Sequence, residues 1–142
     1  MVMFDDESWP VTTVRFGGLT TYSQAHAVID RLERWLVRGD RFAIMVRLGA
    51  AFTARVEVPI WTLLLGWART RGDALERSCA AIAWITMRPR EPSLRLRFYT
   101  EAAAALRCPT DVFCSRGDAR AWLELQLEGL PLLGYGRVNT TT

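Results

Sequence analysis

Apolar and polar positions follow two rhythms along this chain. In the stretch from about Trp9 to Phe16, Val14 and Phe16 alternate with Thr13 and Arg15, the two-residue period of a strand with one covered face. Between Thr21 and Gly39 the rhythm changes. Ala25, Val28, Ile29, Leu32, Trp35 and Leu36 recur at three- and four-residue steps, which draws one apolar stripe along a helix. Asp30, Arg31, Glu33, Arg34 and Arg38 fill the opposite side, and Asp30–Arg34 has the spacing of a helix-surface ion pair. The helix has both of its signals: Thr21 with Gln24 is spaced as a capping box, and Gly39 stands as the stop. Upstream, Met1 to Phe4 suits a short edge strand, turned by Asp5-Asp6-Glu7-Ser8 into the strand that Pro10 enters and Gly17-Gly18 ends.

From Arg41 onward the apolar runs are continuous. Phe42-Ala43-Ile44-Met45-Val46 reads as a strand covered on both faces, followed by a loop through Gly49 and Arg55. A very apolar helix opens at Pro59 and carries Ile60-Trp61-Thr62-Leu63-Leu64-Leu65-Gly66-Trp67; Gly72 is either its stop or an interruption. Cys79 to Ile85 is a third buried strand, and Arg88-Pro89-Arg90-Glu91-Pro92 a loop. Leu94 to Leu106 fits both periods; Ala102 to Ala105 favour helix, and the segment is long for a strand. Thr110 to Cys114 gives a short strand, and Ser115 with Asp118 opens a last helix bearing Ala119, Trp122, Leu123 and Leu127.

Strands alternating with helices require crossover connections and therefore a mostly parallel sheet. The expectation is an α/β domain over residues 1–128, with about five strands in a mixed sheet and about four helices. The first or second strand should be antiparallel at an edge. Residues 129–142, with Pro131, Gly134 and Gly136 among their leucines, read as a C-terminal tail.

This order of elements resembles the STAS-like fold, and within it the SpoIIAA-like proteins named for the anti-sigma-factor antagonist. Three stretches carry the likeness, over roughly residues 9–127: Val14-Arg15-Phe16-Gly17-Gly18-Leu19-Thr20, Phe42 to Leu48, and the run from Asp111 to Leu123 ending in Ala-Arg-Ala-Trp-Leu. The resemblance implies a non-enzymatic regulatory or protein–protein interaction module. It also implies a phosphorylatable Ser or Thr where the central strand meets the next helix. Here that junction is Arg47-Leu48-Gly49-Ala50-Ala51-Phe52-Thr53, without the family's Asp-Ser motif, so Thr53 is the sole hydroxyl and a weak phospho-acceptor.

Composition narrows the function more than it names one. All 18 basic residues are arginines, which removes phosphate-loop, Schiff-base and general-base lysine chemistry; codon bias explains the choice most simply. A net charge of +3 does not by itself suggest a nucleic-acid face. No apolar run approaches a membrane span, and Asp5, Asp6 and Glu7 near the start do not make a secretory signal, so a cytoplasmic chain with no membrane association is expected. No cofactor is implied.

Candidate chemistry is sparse. His26 is the single histidine and lies along the first helix, where a flank residue is the simpler reading. Cys79, Cys108 and Cys114 lack metal-ligand spacing; Cys108 and Cys114 could pair only if their Cβ atoms face each other. Asp5, Asp6 and Glu7 read as a solvated turn, and Gly17-Gly18 as a plain one. Arg88, Arg90, Arg95 and Arg97 form the densest basic cluster, suited to an acidic or phosphorylated partner. In the second helix Ile60, Leu63, Leu64 and Trp67 supply one core-facing stripe. Trp61 and Leu65 are then surplus and must meet the neighbouring helix, a partner subunit or an apolar ligand; the leading reading makes them an interaction surface for a protein partner, the chain itself included as a homodimer. The alternative is a carrier that binds a small apolar or acidic ligand between the second and third helices.

Overall fold

A computed structural model describes residues 2–50, 52–87 and 98–129. Its strands are β1 (Val2–Asp5), β2 (Val11–Phe16), β3 (Phe42–Leu48), β4 (Cys79–Ile85) and β5 (Thr110–Phe113). Its helices are α1 (Tyr22–Val37), α2 (Val58–Thr70), α3 (Gly72–Ser78), α4 (Thr100–Ala105) and α5 (Arg116–Leu127), with a 3-10 turn at Phe52–Arg55. The sheet runs in sequential order β1-β2-β3-β4-β5. β1 is antiparallel to β2 and every other pairing is parallel, as the alternation of strands and helices requires.

Strand periodicity divides the core into two layers. Val14, Ile44, Val46, Ile82 and Trp84 face α1, α2, α3 and α4 in the larger cluster. Val11, Ala43, Met45, Ala81 and Ala83 face Ala119 and Leu123 of α5 in the smaller one. Four of this layer's buried residues are alanines, three on the sheet and Ala119 on α5, and α5 packs over β3 and β4. Sequential strand order accounts for the asymmetry, because crossovers of one hand place their helices on one face and leave the other to the helix after the last strand.

Local signals act where the sequence placed them. Thr21 Oγ1 accepts the Gln24 backbone N–H, and Gln24 Oε1 accepts the Thr21 N–H, so the capping box is complete. Gly39 takes a φ of +80°, the left-handed conformation that ends α1. Gly18 and Gly49 let loops meet at the C-terminal ends of β2 and β3. A Cβ on Gly18 would lie 2.9 Å from Arg55 Cβ, and one on Gly49 3.2 Å from the Phe16 carbonyl oxygen. Leu19 N–H donates to Arg55 O at 2.7 Å and Glu57 N–H to Leu19 O at 2.9 Å, tying the loop after β2 to the entry of α2.

Among the described residues five helices stand where about four were expected, because Gly72 is an interruption. Arg71 leaves the helical region at ψ 19°, its guanidinium is held by Glu33 of α1, and α3 restarts at Gly72 under Arg107. The helix expected over Leu94 to Leu106 is present as α4 from Thr100; its first four residues lie outside the described residues.

Candidate functional site

The larger layer holds an apolar cavity of about 110 Å³ between the sheet and the α1–α2 pair. Its floor is Val14, Ile44, Val46, Ile82 and Trp84; α1 adds Val28 and Leu32, α2 adds Trp61, Leu64, Leu65, Trp67 and Ala68, and Ala102 and Leu106 close the α4 side. Every lining residue is aliphatic or aromatic. Trp61 stands edge-on to both Trp84 and Phe98, with ring centroids 6.4 and 5.3 Å away. These bulky rings, held at right angles in the favoured edge-to-face manner, do not interdigitate as branched aliphatic chains do.

The indole N–H groups of this wall have different fates. Trp61 Nε1–H donates to Glu101 Oε1 of α4 at 2.9 Å, and Trp67 Nε1–H to Glu33 Oε2 of α1 at 2.8 Å. Glu33 also accepts from Arg71 Nε at 3.0 Å and from its terminal nitrogen at 3.1 Å, so one carboxylate binds α1 to the end of α2. Trp84 Nε1–H is buried and has no acceptor. A buried donor left unpaired costs about 1–3 kcal/mol.

This geometry corrects the reading of α2. Trp61 and Leu65 are buried, at 7% and 6% exposure, and face the sheet. The inward arc is Trp61, Leu64, Leu65 and Ala68; Trp67 turns sideways to Glu33, and Leu63 is half-buried. Because α1 and α4 flank α2 on either side, the helix covers more than a single 100° stripe, and of its large apolar side chains only Val58 is exposed. The outer side carries Thr62, Gly66, Arg69 and Thr70, all exposed.

Arg88, Arg90, Arg95 and Arg97 lie outside the described residues, as does the tail beyond Gly129. Thr53 falls within the 3-10 turn before α2, not at the first turn of a helix. His26 is exposed on α1. Among the described residues no three His, Cys, Asp or Glu side chains gather as metal ligands, and no helix is long and apolar enough to cross a membrane.

The three cysteines are free, and the near neighbour of Cys108 is Cys79, not Cys114. Cys108 Sγ lies 3.8 Å from Cys79 Sγ at the entry to β4, whereas Cys114 is exposed. The Cys108 contact, followed by complete burial, pushes the Cys79 thiol well above its ordinary pKa, so it stays protonated and unreactive. Sequence spacing gave no hint of this neighbour, since parallel strand entries bring together positions far apart in the chain. No family model matches this chain, and no curated protein and no solved structure matches it significantly.

Proposed function

We propose that this domain is a non-enzymatic binding module that holds one small apolar molecule between its sheet and the α1–α2 pair. The cavity carries the reading. Well-packed cores leave few voids larger than a water molecule. An apolar void of about 150 Å³ stays dry and takes up benzene. At about 110 Å³ this one suits a single small ring or a short branched chain.

Native mass spectrometry of the chain purified from its own host, and thermal unfolding with benzene, indole and small cyclic ketones, test the proposal. The expected outcome is a small bound molecule, or a rise in Tm with at least one of these rings. No adduct and no shift with any probe would overturn it. The competing proposal is a STAS-like regulatory module acting through a protein partner, itself included. The sequential βα order supports it. Burial of Trp61 and Leu65 removes the apolar part of its expected contact surface, and among the described residues the exposed large apolar side chains Met3, Val58, Met87 and Leu125 lie on separate segments, with Tyr22 and Val37 at opposite ends of α1. Light scattering that finds a stable dimer with no bound ligand would favour it.

A further inference from the structure

On the opposite sheet face, away from the cavity, three arginines line one depression, which they share with Asp5, Asp6 and Glu7. Arg15 and Arg47 are register partners on the parallel strands β2 and β3, each the penultimate residue of its strand. Strands in a sheet lie about 4.8 Å apart, and paired residues project to the same side. Arg116, the first residue of α5, lines the same depression, which measures about 420 Å³. Two like charges placed directly opposite in a sheet destabilise it, and a third makes the arrangement worse.

The five ion pairs among the described residues leave out Arg15, Arg47 and Arg116. Asp5, Asp6 and Glu7 line the same depression. Asp5 pairs in register with Thr13, two positions from Arg15, or about 7 Å along the strand. Its carboxylate accepts the Glu7 N–H at 2.9 Å, and Asp6 is turned to Arg31 at 3.9 Å. Partial burial, with Arg116 and Arg15 beside it, lowers the Arg47 pKa.

The location agrees with the chemistry. In open α/β sheets ligands bind outside the carboxyl ends of the strands, and Arg15 and Arg47 stand at those ends. Guanidinium forks match the oxygens of phosphoryl groups in shape and charge. We infer that Arg15, Arg47 and Arg116 form a binding site for a small phosphoryl-type oxyanion at the C-terminal ends of β2 and β3. The site is independent of the apolar cavity, which lies on the other side of the sheet.

Thermal unfolding of the full chain in inorganic phosphate and in chloride, at equal ionic strength, tests the site for the parent, Arg47→Gln and Arg15→Gln. Phosphate stabilises many proteins through exclusion from their surface, and that effect is common to all three chains. The difference between chains is therefore the signal. The parent should gain about 2–4 °C more from phosphate than either variant does, the shift that modest ligand stabilisation gives a domain of this size. In chloride each variant should melt at or above the parent, because a repelled charge has been removed. An equal phosphate gain in all three chains, or variants that melt well below the parent in chloride, would overturn the inference. Should Arg47→Gln fail to fold, Arg15→Gln decides the outcome by the same two readings.

Discussion

Ala68→Leu is the sharpest test of the cavity. Ala68 is buried on the sheet-facing arc of α2 and lines the space beside Trp61, Leu64 and Leu65. Leucine adds three carbons, worth about 2.4 kcal/mol at about 0.8 kcal/mol per buried methylene. Leucine's lower helix propensity removes a few tenths of a kcal/mol, and imperfect fit against rigid rings removes more. A net gain of about 1–2 kcal/mol is expected. Urea unfolding should show it as a higher midpoint with an unchanged m value, since the surface exposed on unfolding is nearly the same. The benzene-induced rise in Tm should disappear in the variant, because the added side chain occupies the ligand's place. If Ala68→Leu is instead destabilised by more than about 1 kcal/mol, as overpacked cores are, and still responds to benzene like the parent, the space is not a preformed binding cavity.

Three further outcomes follow from the geometry. Glu33→Ala removes the acceptor of Trp67 and Arg71 together and should lower stability by about 1–2 kcal/mol in urea unfolding. That is the lower part of the range for hydrogen bonds to a charged group, since the carboxylate is 37% exposed; Glu33→Gln should recover part of the loss. Thr21→Ala breaks the capping box and should cost about 1 kcal/mol, with the loss of helicity confined to the start of α1 by amide exchange. The raised Cys79 pKa gives stability a pH dependence on the alkaline side. The unfolded thiol ionises near its usual pKa of about 8.5 while the folded one stays protonated, so the unfolded state binds fewer protons and stability falls as pH rises through that window, by up to about 1.4 kcal/mol per unit. Cys79→Ala should flatten this alkaline slope; an identical slope would show that another group causes it.

The linear pattern carried what is local or periodic. Alternation at Thr13 to Phe16, the buried runs at Phe42 and Cys79, the capping box at Thr21 and the stop at Gly39 are properties of neighbouring residues, and they were enough to specify an α/β domain with a mixed five-stranded sheet. Tertiary structure decided phase and neighbourhood. The spacing of apolar residues in α2 gives a helix but not the direction it faces; the flanking α1 and α4 turned Trp61 and Leu65 inward and moved Trp67 toward Glu33. Arg71 became a break because a carboxylate on another helix holds it. The Cys79–Cys108 contact, the arginine row across β2 and β3 and the cavity arise only when parallel strands set distant residues side by side in register, which is why no local pattern announced them.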